Sequence, residues 1–321
     1  MTGRPRAPKA PADLVDGRVV ARHGHHQVEV EDAAGRRVPC RLHGRKLVVV
    51  CGDGVRWGYD AADPAQGIVY ELTPRRATLE RLAGSGQSEP VVANLTQLVA
   101  VVAPLPAPDW FVIDRYLAGA AWCGIRAVIA LNKAELSAPA AIGLELGVYT
   151  AIGYRIVSTS ARAAPGIAAL AAELGANISV LVGQSGTGKS SLLNALVPEA
   201  RAVTQEISAA SEEGRHTTTT AVLHRLATGG DLIDSPGVRD YSPPLPPIRD
   251  VGSGFIEIAR AAAGCRFQDC LHAREPACAV RAAVEAGTIH GRRFESYRRL
   301  LELAREFAAR HPQRRGRNRA R

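Results

Sequence analysis

Gly183-Gln184-Ser185-Gly186-Thr187-Gly188-Lys189-Ser190 is entered from the apolar run Ile178–Val182 (ISVLV) and left through SLLNALV. A β-branched run, a glycine-rich turn and a helical run, in that order, make a phosphate-binding loop. The glycines let backbone N–H groups curl around a β-phosphate, and the helix N-terminus adds its partial positive charge. Lys189 is placed to reach the β- and γ-phosphates and the Ser190 hydroxyl to hold Mg²⁺, with Ser191 next in the cradle. Both flanks being correct, the loop implies a nucleoside triphosphate ligand.

Working outward, Asn132-Lys133-Ala134-Glu135 ends the buried run Ala127–Leu131 and resembles the guanine-reading Asn-Lys-x-Asp motif of GTPases. A carboxylate at the fourth position accepts both N–H donors of the guanine edge, which adenine does not offer. Lys133 would lay its stem over the base, and Asn132 would tie this loop to the phosphate loop. Glu135 is one methylene longer than the usual Asp. Ser158-Thr159-Ser160-Ala161 resembles the Ser-Ala loop whose backbone meets the guanine oxygen. Asp234-Ser235-Pro236-Gly237 resembles the Asp-x-x-Gly motif, with Asp234 holding Mg²⁺ through water and the Gly237 N–H meeting the γ-phosphate.

In an ordinary GTPase the phosphate loop comes first and the base-reading motifs last. Here Asn132 and Ser160 precede the phosphate loop, so the fold is expected to be circularly permuted. The permutation puts the switch after Asp234 at the C-terminal end of the GTPase domain, where its movement can pull on whatever is appended. Between the two lies Gly214-Arg215-His216-Thr217-Thr218-Thr219-Thr220. A Thr of this first switch completes a Mg²⁺ shell; Thr218 is the expected ligand, with Thr217 and Thr219 as alternatives. Val238 follows Gly237 where many GTPases carry a water-orienting Gln. Val cannot orient water, and His216 is the nearest candidate to do so.

Cys265-x4-Cys270-x-His272-x5-Cys278 offers three thiolates and one imidazole, the donor set of a closed, structural Zn²⁺ site. The remaining cysteines, Cys40, Cys51 and Cys123, stand among apolar residues and read as core. From Asp13 to Leu82 the short runs Gly17–Arg22, Gln27–Glu31, Arg37–Leu42, Leu47–Val50 and Gly67–Leu72 are punctuated by turn residues and predict a five-stranded OB-like barrel. Alternating buried strands and helices over the next ~150 residues predict a doubly covered α/β sheet. The expected division is therefore multidomain. It comprises a basic tail (1–12), an OB-fold domain (13–84), a loop spanning Ala83–Pro90, a permuted P-loop GTPase domain (90–245), a helical zinc-binding domain (246–311) and a basic tail (312–321).

The chain has 321 residues and a net charge of +9. Its last 31 residues, from Gly291, hold eleven Arg against three Glu, which favours a phosphate backbone as partner. No apolar run of membrane-spanning length and no signal-type segment is present, which gives a cytosolic expectation.

The whole chain resembles the ribosome small-subunit-dependent GTPase A (RsgA) family, on the stretches GQSGTGKSSLLNAL, GRHTTTT, DSPGVRDY and CRFQDCLHAREPACAV. The resemblance implies an OB barrel, GTP hydrolysis that is slow alone and stimulated by the small (30S) ribosomal subunit, a role in late subunit maturation, and 16S rRNA contact. It also implies catalytic help from His216. Monomer is the default expectation, and no membrane partner is expected. Glu135 and the Pro-rich Ser242–Asp250 depart from the family pattern. Three rivals stand beside this reading: a permuted GTPase acting on the large subunit, an RNA-binding assembly scaffold with a regulatory nucleotide site, and a P-loop ATPase or kinase. The barrel and Cys/His cluster argue against the first, the complete Lys189, Ser190 and Asp234 against the second, and Asn132–Glu135 against the third.

Overall fold

The computed structural model describes residues 13–24, 26–44, 46–82, 87–199, 220–239 and 241–311. The first five strands are β1 (Val15–His23), β2 (Gln27–Glu31), β3 (Arg37–Leu42), β4 (Gly54–Asp60) and β5 (Asp63–Leu72). They pair in the order β1-β2-β3-β5-β4, and β4 closes back on β1, so this is a barrel without a free edge. β3 and β5 run parallel, and every other pair in the ring is antiparallel. Period-2 alternation does the sorting. In β3, Val38, Cys40 and Leu42 point inward while Arg37, Pro39 and Arg41 face solvent. The interior is filled around Trp57, which is 1% exposed. Gly67 opposes it because a Cβ there would lie 2.8 Å from the indole and 2.6 Å from Cys40 Sγ.

One strand expectation is corrected. Leu47–Val50 is not a strand, and the fourth barrel strand is Gly54–Asp60. The apolar run is instead irregular backbone pinned by polar partners. The Val50 N–H donates to Asp53 Oδ2 at 2.8 Å, and Arg75 donates to both Asp53 and the Val48 carbonyl. Its side chains are apolar because Val49 enters the barrel core and Cys51 the core of the next unit. The expected loop 83–90 is also shorter than that. Ser88–Ala93 forms β7, paired with β6 (Thr78–Leu82), and Pro90 is accommodated in this isolated two-stranded sheet.

The α/β unit has strand order β10 (Arg155–Ser158), β9 (Arg126–Leu131), β8 (Gln97–Val102), β11 (Ile178–Val182), β13 (Asp231–Asp234), β12 (Thr220–Arg225). All but β12 are parallel. β8 is buried at all six positions, as a strand covered on both faces must be. Helices α1 (Trp110–Trp122), α2 (Ala140–Ile152), α3 (Ala164–Leu174) and α4 (Lys189–Leu196) supply the cover. β12 also pairs antiparallel with β1, Ala21 opposite Val222 and His23 opposite Thr220, which makes barrel and α/β sheet one eleven-stranded system.

After the one-turn α5 (Pro236–Arg239) and a 3₁₀ segment, α6 (Ile256–Ala262), α7 (Ala279–Glu285) and α8 (Gly291–Arg310) enclose their own core around Phe255, Ile258, Tyr297 and Leu300. No helix among the described residues is long and apolar enough to cross a membrane. Cys40 and Cys51 are buried as expected, whereas Cys123 is only partly so.

Candidate nucleotide site and metal centre

Parallel strands deliver their C-terminal ends to one edge of the sheet, where α/β proteins bind ligands. At that edge four sequence motifs meet. β11 leads into Gly183–Gly188 and α4 begins at Lys189. Gly188 has φ +94°, and a Cβ on it would sit 2.4 Å from Asn132 Nδ2, so only glycine lets the Asn132–Glu135 loop approach this closely. Asn132, 1% exposed, uses that approach: its Nδ2 donates to the Thr187 carbonyl at 2.8 Å. Its Oδ1 is a buried acceptor with no hydrogen-bond partner among the described residues. The Ala134 N–H donates to the Thr159 carbonyl at 3.1 Å and ties the Asn132–Glu135 loop to the Ser158–Ala161 loop. Ser160 also hydrogen-bonds Glu135, and chiefly for that reason the Glu135 carboxyl titrates below its ordinary range.

Lys133 turns through φ +58° and donates to the carbonyls of Gly186 at 2.7 Å and Leu105 at 2.6 Å. Lys189 Nζ lies on the loop carbonyls of Gly183 and Gln184, at 2.6 and 2.9 Å. Lys189, Ser190, Asp234 and Ser235 line one small cavity between β13 and α4. Val238 is 2% exposed and packed into the sheet's core, which removes it from water chemistry. His216 and Thr217–Thr219 lie outside the described residues.

Sequence reasoning missed the Pro104–Asp109 segment. The Asp109 N–H donates to Gln184 Oε1 at 2.8 Å, while its carboxylate caps α1 through the N–H groups of Phe111 and Val112. Asp109 before an apolar run was a helix-start signal. Nothing in the sequence linked it to the phosphate loop.

These loops have the connectivity of a permuted GTPase, and the comparisons agree. The model of the RsgA GTPase family matches residues 72–243. The small ribosomal subunit biogenesis GTPase RsgA of Chromohalobacter salexigens is 44% identical over 291 residues, covering 89% of this chain and 85% of that protein. This chain belongs to the RsgA GTPase family. The RsgA protein of Azotobacter vinelandii is 43% identical over 294 residues, covering 89% of this chain and 84% of the relative. Among solved structures, YjeQ from Thermotoga maritima is similar with a TM-score of 0.73 at 30% identity, covering 91% of this chain and 98% of that one. YloQ, described as a circularly permuted GTPase, gives 0.72 at 25% identity, with 92% and 96% covered.

This RsgA-family chain also carries a metal-competent centre. One donor atom from each of Cys265, Cys270, His272 and Cys278 lies within 4.8 Å of all the others. His272 Nδ1 is 3.6 Å from Cys265 Sγ and 3.4 Å from Cys278 Sγ, and those two sulfurs are 3.9 Å apart. Tetrahedral Zn²⁺ with Zn–S of about 2.3 Å and Zn–N of about 2.0 Å needs donor separations of roughly 3.5 to 3.8 Å, so the residues fit it. Burial opposes ionisation of the Cys265 thiol, but N–H groups of Val280 and Ala279 and the neighbouring thiols outweigh it and lower its pKa. Tyr297 holds the centre from below, its hydroxyl donating to the Leu271 carbonyl at 2.7 Å.

Proposed function

We propose that this chain hydrolyses GTP to GDP and phosphate, binds the small (30S) ribosomal subunit and its 16S rRNA, and acts late in that subunit's maturation with subunit-stimulated turnover. The observation that carries the reading is the lacing of the base-type loop to the phosphate loop through Asn132 and Gly188. One nucleotide spans both, and the base loop offers a carboxylate suited to guanine. The names of the RsgA relatives support the partner.

In this reading Asn132, Lys133, Glu135, Ser160 and Ala161 select guanine. Gly183, Gln184, Ser185, Gly186, Thr187, Gly188, Lys189, Ser190 and Ser191 hold the phosphates, and the Gly237 N–H meets the γ-phosphate. Ser190 and Thr218 ligate Mg²⁺, with Asp234 acting through water. Mg²⁺ held there would supply positive charge against the phosphates. His216 orients the attacking water, since Val238 cannot. Lys189 stabilises charge that builds as the γ-phosphoryl departs. Cys265, Cys270, His272 and Cys278 hold one structural Zn²⁺, leaving no open position for chemistry. The domain division 1–12, 13–84, 90–245, 246–311 and 312–321, a monomeric state and a cytoplasmic location belong to the same proposal.

The test is GTP turnover by the purified protein with and without 30S subunits, with ATP as the control. A large gain confined to GTP plus 30S is expected. Equal turnover without subunits, or equal use of ATP, overturns the reading.

A further inference from the structure

The metal loop presents an aromatic side chain that the fold leaves outside. Phe267 is 41% exposed, although it sits two residues after one metal-competent cysteine and three before the next. The Cys270 N–H donates to the Phe267 carbonyl at 3.3 Å, closing a tight turn, and the Cys265 N–H donates to Ala262 at 3.0 Å. The inside of this turn is taken by the sulfurs and His272. The ring is therefore held outward on a braced loop rather than left out by a floppy one. Single exposed apolar residues are ordinary on protein surfaces. This one differs in the hydrogen-bonded turn that carries it and in its neighbours.

Those neighbours are cationic. The Arg266 guanidinium lies 5.5 Å from the Phe267 ring centroid. Arg260, Arg266 and Arg274 are exposed and form no ion pair among the described residues. Of the loop's two acids, Glu275 is committed to backbone, accepting from the N–H groups of Leu271, Ala273 and Arg274 at 2.8 to 2.9 Å. That leaves Asp269 as the loop's acid not committed to backbone, with the planar ring beside Arg266.

We propose that Phe267 stacks on an unpaired nucleobase of RNA while Arg266 contacts the adjoining backbone phosphate. Aromatic rings accept any base that is free of its own stack, and a basic neighbour supplies the sequence-independent attraction. Duplex RNA offers no free base face, so the tip distinguishes a single-stranded or bulged site from a helix. The inference rests on the ribosomal reading above and adds to it the chemistry of one contact.

The test uses the full-length, zinc-loaded protein and two probes: a ten-nucleotide single-stranded RNA of mixed sequence and the matching duplex. Phe267→Ala is expected to bind the single strand roughly tenfold more weakly and the duplex unchanged. Phe267→Trp retains affinity, and its added fluorescence is quenched by the single strand and not by the duplex. Phe267→Leu keeps apolar bulk without the ring and is expected to behave as Phe267→Ala. Arg266→Ala lowers affinity for both probes and reduces the salt slope by about 1. Zinc content, read by release to a chelating dye, shows that each variant keeps the loop. The proposal is overturned if Phe267→Ala binds both RNAs like the parent, or if Phe267→Leu does. It is also overturned if the new tryptophan responds to ribosomal proteins and not to RNA, which would make the tip a protein contact. Subunit-stimulated turnover of the parent, measured alongside, tests the ribosomal reading separately, because the RNA assays need neither GTP nor subunits.

Discussion

Asn132 bridges the two halves of the nucleotide site with a single side chain. Asn132→Ala strands the buried Thr187 carbonyl, a loss of about 1–3 kcal/mol. The expected result is GTP and GDP affinity weakened roughly tenfold or more, read with a fluorescent nucleotide, and a melting temperature lowered by roughly 2–10 °C. His216→Ala should do the opposite. Nucleotide affinity is expected to hold while subunit-stimulated turnover falls about 100-fold, the lower range for a lost proton-handling or water-orienting group. An unchanged turnover would pass the role to another group. Asn132, Glu135, Lys189 and Asp234 were legible as candidates because motif letters mark their side chains and their spacing from apolar runs places them at strand ends, and Ser160 because a Ser-Ala pair marks its loop. Leu105 and Asp109 were not, since they enter through a backbone carbonyl and a backbone N–H. Every residue carries the carbonyl and every residue but proline the N–H, so no letter in the sequence marks them.

α1 (Trp110–Trp122) is the element on which the site, the second switch and the metal domain converge. Its N-cap Asp109 meets the phosphate loop. Tyr116 stacks with Tyr241 just beyond the second switch, and Arg115 donates to Ser242. On another face Asp114, fully buried, receives Arg292 at 2.6 Å and Arg293 at 2.7 Å from α8, and Arg293 continues to Glu257 at 2.8 Å. The metal domain thus rides on a helix of the GTPase unit, besides being connected to the switch by the chain. Breaking a buried, multiply bonded ion cluster costs about 3–5 kcal/mol because a desolvated charge is left behind. Asp114→Asn and Arg293→Met are both expected to lower the unfolding free energy read from urea titration by that much at neutral pH, with metal content retained. A shift of under about 1 kcal/mol would mean that water reaches the cluster. α1 falls within the expected alternation of strands and helices, yet nothing in the sequence signals this cluster. Its partners lie up to 179 positions apart, and Arg292–Arg293 read only as part of the basic excess that begins at Gly291. The misassigned barrel strand has a similar cause. Leu47–Val50 and a true strand are equally apolar, and the distinction is made by Asp53, which turns the backbone at Val50, and by Arg75, which reaches Asp53 and Val48 from more than twenty residues away.

Taken as one body, the chain joins a closed barrel to a nucleotide-binding sheet through three residue pairs between β1 and β12, the strand that follows the first switch. It carries a net charge of +9 with the excess at its C-terminal end. Barrel and sheet share a hydrogen-bonded ladder, so a partner that grips the barrel also bears on the strand leaving the switch. The charge then decides how such a grip responds to salt. Each phosphate neutralised by Arg or Lys releases counterions, and log affinity falls with log salt by about 0.7 to 0.9 per contact. Residues 312–321 contain five arginines. Ending the chain at His311 is therefore expected to flatten the salt slope of 30S binding by up to about 4, with GTP turnover in the absence of subunits unchanged. Measured between 50 and 200 mM salt, about the range over which such contacts lose 10³–10⁵ in affinity, an unaltered slope would assign the electrostatic attraction to the arginines of the metal domain and barrel. A flattened slope with subunit-stimulated turnover intact at low salt would separate two roles: the tail supplies attraction, and the folded units supply the contacts that activate the site.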